Sequence, residues 1–508
     1  MPPSTNPFFF DMENSIFVSS EIATLKRLIV HSPDAGIGKI LPSMKDELLY
    51  DDIVYLEKMR EEYYQYLQVL LWFLDPEVIK NRPKKKKNST AHDDFFKPNK
   101  PSYFQSDKVL DIEYLLIKIL KNDDVKNRLV ASICAIEQCD FATQHQLLKL
   151  EPEKLATVLI TGVLQVKNKD KFLFHPLPNF IFTRDIGITI KDHLLLTKPA
   201  EEARIRESII TKYIAHYGLF GSNDLLLSDK VIELTENETI FLADKEEQAQ
   251  NAVTVEGGDV MMIAKSHLLI GVSERTSIRA VEQVINKLFD KALVNKITVV
   301  RIPQKRDFMH IDTVFTQVKR DLWILFSNFS KNAIKKSNKK DFAYILSDKE
   351  EQKELENLIT ITQFTRLPKE KDDYKVVVSK KLKYLEDLFK QISIEDYGCT
   401  KCEMVYSAGG EFPYSEREQW TDACNFLTLK EGVIIGYDRN VLTTEQFRAK
   451  GFEILHAHEF LQQMESGKTL DEVIVGDTLI LLPSSELSRA RGGTHCMSMP
   501  LQREVIGF

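Results

Sequence analysis

One pattern recurs four times after residue 171, and it constrains the fold more than any other feature of the sequence. Each copy consists of an acid, a short apolar run, a polar turn of three or four residues and a second apolar run. Two apolar runs joined by such a turn are typical of a β-hairpin. The four copies begin at Asp185, Asp259, Asp312 and Asp422.

Helical stretches lie between the hairpins, over residues 200–217, 275–291 and 379–393. A recurring unit of two strands and a helix predicts an α/β fold built by radial or stacked repetition rather than one open sheet. If the units pack around an axis, the acids at the strand starts converge on one pocket. The recurrence therefore predicts both an architecture and a place for a functional site.

The first 163 residues follow a different pattern. A strand is expected within residues 18–31, a helix over 45–75 and a mobile loop over 81–105, where Pro, Asn and a Lys run break the periodicity. The helical period returns over 108–163 with no strand among the helices, which predicts a compact helical domain. The N-terminal strand and the C-terminal segment are expected to supply one further unit of the repeat.

The composition excludes several classes of protein. Hydrophobic residues are 43% and charged residues 28% of the 508, as in a globular protein of roughly two to four domains. A balance of 68 Lys and Arg against 75 Asp and Glu argues against a nucleic-acid binder. No apolar run approaches the roughly 20 residues of a membrane-spanning helix, and the N-terminus lacks the features of a secretory signal. Six irregularly placed Cys are not a disulfide framework, so a soluble cytoplasmic protein is expected.

Polar residues cluster among Gly and apolar neighbours in four stretches, which are residues 179–185, 256–259, 310–312 and 491–500. Any one of these acids alone is best explained as a salt bridge or a turn cap. Together the stretches supply a Cys, a His and several carboxylates. A Cys attacks as its thiolate, and surrounding carboxylates repel a thiolate unless a cationic substrate enters. The combination therefore fits attack on a guanidinium or amidinium carbon better than on a peptide carbonyl.

The same stretches, in the same order, resemble the arginine deiminase family, which belongs to the guanidino-group modifying enzymes of the pentein superfamily. The motifs that carry the resemblance are FTRD (182–185), EGGD (256–259), HIDTVFT (310–316) and SELSRARGGTHCMSMPL (485–501). The N-terminal stretch SEIATLKRLIVHSP (20–33) is similar to that family's opening. The resemblance covers nearly the whole chain apart from two expanded regions, about 80–105 and about 329–400.

This resemblance implies a five-bladed α/β propeller of ββαβ modules with an inserted helical-bundle domain. The chain is then expected to divide into three parts. These are a first propeller module over 1–75, the inserted helical domain over 76–163, and the remaining modules with the catalytic site over 164–508. It also implies hydrolysis of L-arginine to L-citrulline and ammonia without metal or organic cofactor. The chain is also expected to form a homo-oligomer, either a dimer or a tetramer, and to have no nucleic-acid or membrane partner.

Five catalytic residues follow from the resemblance. Cys496 is implied as the nucleophile that attacks the guanidinium carbon. His310 would protonate the departing ammonia and then activate the hydrolytic water. Glu256 would hold the guanidinium and contact His310, while Asp185 and Asp312 bind the remaining N–H groups. Because guanidinium has five N–H donors in a fixed plane, several carboxylates suit it chemically.

Further matches concern substrate choice. Arg204 and Arg275 match family arginines that bind the substrate α-carboxylate, with Asn179 assisting, so a free amino acid is favoured over agmatine. The other implied site residues are Leu49 and Phe182 along the aliphatic stem, Asp259 as support for its loop, and Arg491 as a residue that covers the empty site. Ala490 departs from the glycine common in that loop, and if its position requires a positive φ it carries strain.

Two alternatives remain open from the sequence. An amidinotransferase of the same fold would resolve the covalent intermediate with an amine in place of water. A catalytically silent, arginine-binding paralogue would keep the pocket without turnover, and the Lys-rich loop would then favour a partner-binding role. His495, next to the nucleophile, is expected to pack in its loop rather than to act as a second base.

Overall fold

The computed structural model describes residues 16–507 except 45–46, 51, 85, 87–88, 168, 222–226, 236–251, 338–358 and 370–372. Parts of the expectations for the N-terminus, the 45–75 helix, the Lys-rich loop and the 329–400 region lie outside the described residues. Those described form an α/β fold of short sheets and helices.

The strands in chain order are β1 (Leu25–Val30), β2 (Val109–Asp111), β3 (Val163–Val166), β4 (Lys169–Phe172), β5 (Gly187–Ile190), β6 (His193–Leu196), β7 (Val231–Ile232), β8 (Val260–Ala264), β9 (His267–Val272), β10 (Lys296–Arg301), β11 (Phe315–Lys319), β12 (Leu322–Leu325), β13 (Thr360–Pro368), β14 (Tyr374–Ser379), β15 (Glu403–Tyr406), β16 (Leu427–Lys430), β17 (Val433–Tyr437), β18 (Glu453–His456), β19 (Thr478–Leu482) and β20 (Met499–Arg503).

The α-helices are α1 (Leu56–Leu74), α2 (Pro76–Lys80), α3 (Ile112–Leu120), α4 (Asp123–Ile136), α5 (Phe141–Leu148), α6 (Pro152–Thr161), α7 (Ile205–Tyr213), α8 (Ile278–Asp290), α9 (Lys331–Ser337), α10 (Leu385–Gln391), α11 (Tyr414–Trp420), α12 (Val441–Ala449), α13 (Ala457–Glu465) and α14 (Leu470–Val473). Among the described residues, no helix combines the length and the apolar character that a bilayer crossing requires.

All four predicted hairpins are confirmed as antiparallel pairs, namely β5–β6, β8–β9, β11–β12 and β16–β17. The chain leaves each hairpin through at least one helix and returns as a strand parallel to the second hairpin strand. These returning strands are β7, β10, β15 and β19. A parallel return needs a crossover connection, usually a helix, which explains why helices alternate with the hairpins.

The first and last strands close a fifth sheet of the same kind. In it β20 is antiparallel to β1, and β2 is parallel to β1. The expected further unit, made from the N-terminal strand and the C-terminal segment, is therefore confirmed. Because β20 follows the loop of Cys496, this pairing also fixes one end of the nucleophile loop.

Three expectations for the N-terminal part are wrong in detail. The helix expected over 45–75 begins only at Leu56, because residues 47–49 form a turn in which Leu49 takes a φ of +57°. The helical region contains the strand β2, since its parallel partner β1 comes from elsewhere in the chain. The supposedly mobile loop is packed over its described part, where four aromatic side chains are buried in the core, Phe95, Phe96, Tyr103 and Phe104.

Candidate active site

Three of the four recurring acids lie on short 3₁₀ turns that run directly into their hairpins. The turns are Thr183–Ile186 before β5, Gly257–Asp259 before β8 and Ile311–Thr313 before β11. Asp259 joins two of them, because its Oδ1 accepts a hydrogen bond from the N–H of Ile311 at 3.0 Å. Its Oδ2 accepts a bond from Ser273 Oγ at 2.6 Å. Asp259 therefore supports the turns from beneath and does not line the pocket.

Two glycines permit the close approach of these turns. A Cβ on Gly257 would lie 1.9 Å from the carbonyl oxygen of Arg184, and one on Gly258 would lie 2.5 Å from Nδ1 of His310. Real Cβ atoms do not approach other atoms so closely, so any side chain here would push the turns apart. The glycines of the EGGD motif thus hold the backbone against the histidine.

Cys496 lies in the loop before β20, where Asn425 fixes both its backbone and its sulfur. The Cys496 N–H donates to Asn425 Oδ1 at 3.1 Å, and Asn425 Nδ2 donates to Sγ at 3.2 Å. The same Sγ is 3.5 Å from Oδ2 of Asp312. Burial raises the pKa of the Cys496 thiol well above its ordinary value, and the carboxylates of Asp312 and Asp185 raise it further. Burial and the nearby carboxylates therefore favour the thiol over the thiolate.

His310 lies between two carboxylates. Its Nε2 is 2.9 Å from Oε2 of Glu256, and its Nδ1 is 3.8 Å from Oδ1 of Asp185. Burial alone would lower the pKa of His310, but Asp185 and Glu256 outweigh it and raise this pKa to about 10. Burial would raise the pKa of Glu256, but Arg204 and His310 hold it below its usual range. The pair is therefore an imidazolium and a carboxylate near neutral pH, with a proton available to donate.

Asp312 is held by His495, the residue before the nucleophile. His495 Nδ1 is 2.8 Å from Oδ2 of Asp312, and its Nε2 is 3.5 Å from Oε2 of Glu21. Glu21 in turn accepts a hydrogen bond from Arg184 at 2.6 Å. Burial would raise the pKa of Asp312, but the hydrogen bond from His495 together with the charges of His495, His310 and Arg184 lowers it below its ordinary value. His495 therefore orients a site acid, which goes beyond the loop packing expected from the sequence.

Arg204 places a guanidinium on the acids expected to bind one. Its Nη1 donates to Asp185 Oδ2 at 2.9 Å and lies 3.3 Å from Glu256 Oε2. Its Nε donates to Glu207 at 2.9 Å, and its Nη2 to the carbonyl oxygen of Asn179 at 3.4 Å. One nitrogen of the Arg204 guanidinium therefore lies between two carboxylates. While Arg204 is in this position, both acids already have a cationic partner.

The pocket between these groups brings together ten of the twelve residues expected at the site. They are Leu49, Asn179, Phe182, Asp185, Arg204, Glu256, Arg275, His310, Arg491 and Cys496. Of the remaining two, Asp259 lies beneath the turns and Asp312 contacts the sulfur without lining the pocket. Residues more than 400 positions apart in the chain thus share one small cavity.

Arg275 and Arg306 line the pocket as well, and an oxygen acceptor holds each of them. Arg275 Nη1 donates to Glu201 at 3.2 Å, and Arg275 is 3% exposed. Asn179 Nδ2 donates to the carbonyl oxygen of Leu48 at 2.7 Å. Arg306 Nη2 donates to the carbonyl oxygen of Leu49 at 3.2 Å. This last bond ties the turn at residues 47–49 to the rim of the pocket.

Arg491 follows the 3₁₀ turn Leu487–Ala490 and lies over an aromatic ring. Its guanidinium carbon is 3.5 Å from the ring centroid of Trp420, close enough for a cation–π contact. The residue with the left-handed backbone here is Arg491, with a φ of +59°, whereas Ala490 ends the turn. Ala490 therefore does not have a positive φ, and the backbone strain considered for it does not arise.

Several pocket residues were missed by the sequence analysis. Arg306, Met309, Thr313, Asp422 and Gly492 line the cavity as well. The signal for Asp422 was present, because it begins the fourth recurring unit, and its Oδ2 accepts a hydrogen bond from the N–H of Gly492 at 3.0 Å. Asn425, which binds the nucleophile, ends the stretch EREQWTDACN (416–425), which also resembles the family, but the sequence analysis assigned it no role.

The described residues contain one cluster with ligand atoms close enough together to hold a metal ion. Its members are Asp185, Glu256 and His310, whose ligand atoms lie within 4.8 Å of one another. Both carboxylates already contact the guanidinium of Arg204. Two members of this cluster are therefore already paired with a cationic side chain.

Comparisons with known proteins agree with this chemistry. A family model described as "Arginine deiminase" matches residues 140–503. Curated proteins named arginine deiminase from Borreliella afzelii and Listeria innocua serovar 6a are 27% and 28% identical, and each match covers 97% of this chain and 99% of the relative. A solved amidinotransferase, SxtG of Microseira wollei, covers 97% of this chain and 98% of its own, with a TM-score of 0.47 and 10% identity. Since the family model spans most of the chain, this chain belongs to the arginine deiminase family.

Proposed function

We propose that this chain is an arginine deiminase that hydrolyses L-arginine to L-citrulline and ammonia in the pocket around Cys496. One observation carries the proposal: Asp185 and Glu256 hold a guanidinium, that of Arg204, in the same cavity as Cys496 and His310. Membership of the arginine deiminase family supports the same reaction. In the proposed complex, the substrate guanidinium replaces that of Arg204 on the two acids.

In the first half-reaction, Cys496 Sγ bonds to the guanidinium carbon and a C–N bond breaks. The thiol, the guanidinium cation and protonated His310 give an S-amidino (thiouronium) cation, an ammonium ion and neutral His310, because the leaving nitrogen takes up both the thiol proton and the His310 proton. The positive charge of the substrate favours the thiolate that burial and the nearby acids otherwise oppose. His310 is the group that protonates the departing ammonia, because it holds a proton beside Glu256.

In the second half-reaction, water attacks the thiouronium carbon and the C–S bond breaks. His310, now neutral, accepts a proton from this water. Citrulline, the Cys496 thiol and one proton result. Asp312, 3.5 Å from Sγ, is proposed to bind the guanidinium on the sulfur side.

The remaining side chains are proposed to select a free α-amino acid. Arg275, the displaced Arg204 and Asn179 would bind the α-carboxylate together. Two guanidinium groups and one amide provide N–H donors that can surround a single carboxylate. Leu49 and Phe182 would enclose the aliphatic stem. Arg491, whose backbone is left-handed and whose side chain lies on Trp420, is proposed to cover the pocket when it is empty.

We also propose that the fold is a five-bladed α/β propeller, with a first module over residues 1–75, an inserted helical domain over 76–163 and the remaining modules over 164–508. The five sheets of three or more strands among the described residues support this architecture. A cytoplasmic homo-oligomer, dimer or tetramer, that acts in arginine catabolism is part of the same proposal.

The test measures citrulline and ammonia from L-arginine with no amine acceptor present. The wild type is expected to form both products in equal amounts and to leave agmatine untouched. Cys496→Ala should lose at least about 1,000-fold in turnover, because no covalent bond can form. Cys399→Ala, which removes a thiol outside the pocket, is the matched control and should retain activity.

Three outcomes would contradict the proposal. Product that appears only when an amine is added would indicate an amidinotransferase. Arginine binding without turnover would indicate the silent paralogue. Equal activity of Cys496→Ala and Cys399→Ala would show that Cys496 is not the nucleophile.

A further inference from the structure

A second, larger cavity lies where β1 begins and β20 ends, beside the C-terminal end of α1. Its volume is about 910 Å³, within the range of roughly 300–1,000 Å³ typical of small-molecule sites. Among the described residues, the side chains that line it and those that line the candidate active site have no member in common. The proposed reaction therefore leaves this cavity without a role.

Cationic side chains outnumber acidic ones around the cavity. The charged lining residues are Lys26, Arg27, Lys108, Lys430 and Arg503 against Asp107 and Glu504. Lys26 pairs with Glu504 at 2.6 Å. For Lys108 and Lys430, the described part of the chain offers no carboxylate within ion-pair distance. The cavity thus holds an excess of positive charge.

Arg503 adds hydrogen-bond donors that the described residues leave unused. The residue is 2% exposed, and its Nη1 donates to the carbonyl oxygens of Ala23 and Thr428 at 2.6 and 2.8 Å. Its Nε and Nη2 are buried and have no hydrogen-bond partner among the described residues. A buried guanidinium with unused N–H groups costs free energy that an anionic oxygen would recover. Glu21 supplies part of the negative charge near this guanidinium, and the unused N–H groups remain available as hydrogen-bond donors to an anionic oxygen.

The cavity also has apolar lining residues. Leu25, Phe73, Leu74 and Leu470 line it, and the half-buried ring of Phe73 is nearly parallel to that of Phe460, at 22° and 6.0 Å. Several cations beside an apolar wall suit a molecule with a multiply charged head and an apolar ring. We propose that this cavity binds a small organic phosphate, whose phosphate oxygens meet Lys108, Lys430 and Arg503 and whose ring lies against Phe73.

The experiment is calorimetric titration of ATP into the Cys496→Ala protein with saturating L-arginine, which keeps the catalytic pocket occupied if the proposed function is correct. Arg503→Ala is avoided, because it would break two bonds to the backbone. The double variant Lys108→Ala/Lys430→Ala in the same background is expected to bind ATP at least about tenfold more weakly. The matched control, Lys58→Ala/Lys369→Ala, removes the same charge at exposed ion pairs outside the cavity and should leave the affinity unchanged.

Pyrophosphate and citrate complete the design. Pyrophosphate is expected to bind more weakly than ATP, because it has no ring for the apolar wall, and citrate more weakly still. No ATP binding at millimolar concentration, or equal loss of affinity in both double variants, would overturn the proposal. Pyrophosphate binding as tightly as ATP would overturn the role of the ring, and tighter binding of citrate would overturn the choice of phosphate. None of these readouts depends on turnover, so failure of the proposed function is detected separately.

Discussion

At the scale of single residues, the pocket is defined by opposite charges buried close together. Cys496 faces carboxylates that disfavour its thiolate, while His310 faces carboxylates that favour its imidazolium. The free enzyme thus holds both protons that the first half-reaction needs. A cationic substrate changes this balance at the sulfur, so activation of the nucleophile is coupled to binding.

Alkylation of Cys496 measures this balance directly. Because the pKa of its thiol is raised, the thiolate fraction and the alkylation rate of the free enzyme should keep rising as the pH passes 9. Asp312→Asn removes a negative charge 3.5 Å from Sγ, so the same rise should occur at lower pH. The variant should also lose at least about 100-fold in turnover with arginine, because the proposed role of Asp312 as a guanidinium ligand requires its negative charge.

The measurement is iodoacetamide labelling from pH 6 to 10, with the modified peptide identified by mass spectrometry. Peptide identification separates Cys496 from the other cysteines of the chain. A wild-type rate that reaches its plateau below pH 8, or an Asp312→Asn curve shifted to higher pH, would contradict the assignment.

At the scale of elements, the hairpins were readable from local sequence and the segment after α2 was not. Alternating runs and short turns mark β5–β6, β8–β9, β11–β12 and β16–β17. Residues 89–105 carry the polar and Pro signals of a loop, yet Phe96 is 1% exposed and its ring lies 4.9 Å from that of Tyr64 on α1. Burial of this kind depends on a partner distant in sequence, and local periodicity does not report it.

Substitution of Phe96 tests whether this segment is a packed element. Phe96→Ala should lower the free energy of unfolding by about 3–5 kcal/mol, because it leaves a cavity among aromatic rings. Phe141→Ala is the matched control, since Phe141 is 82% exposed, and it should change stability by less than about 0.5 kcal/mol. Urea unfolding followed by circular dichroism makes the comparison. If the two variants were equally stable, the segment would not be a packed element, and the mobile loop expected from the sequence would be the better description.

At the scale of the whole molecule, the pairing of β1 with β20 joins the two ends of the chain. β20 contributes Met499 and Leu501 to a core shared with helices α3 to α6, so it connects the helical region to the sheets. The same strand continues directly from the loop of Cys496. Stability of the helical region and position of the nucleophile thus depend on one strand.

Truncation from the C-terminus tests this dependence. Removal of residues 499–508 should abolish cooperative thermal unfolding, because it removes two buried apolar side chains and the ladder to β1. Removal of residues 505–508 is the matched control and should leave the unfolding transition within a few degrees of the wild type. Cooperative unfolding of the longer truncation would show that the helical region does not need β20.

The sequence by itself determined the repeating hairpins, the helical region and the chemical type of the site, because these depend on local periodicity and on residue types within short motifs. Ten of the twelve residues implied by the family resemblance line one pocket, whereas two of the recurring acids, Asp259 and Asp312, lie outside its lining. Only the tertiary structure decided that Arg204 lies on Asp185 and Glu256 in the free state, and that His495 holds Asp312. Such contacts join different segments of the chain. Their geometry depends on packing, and their strength depends on the low dielectric of a buried site. No local sequence pattern reports either of these.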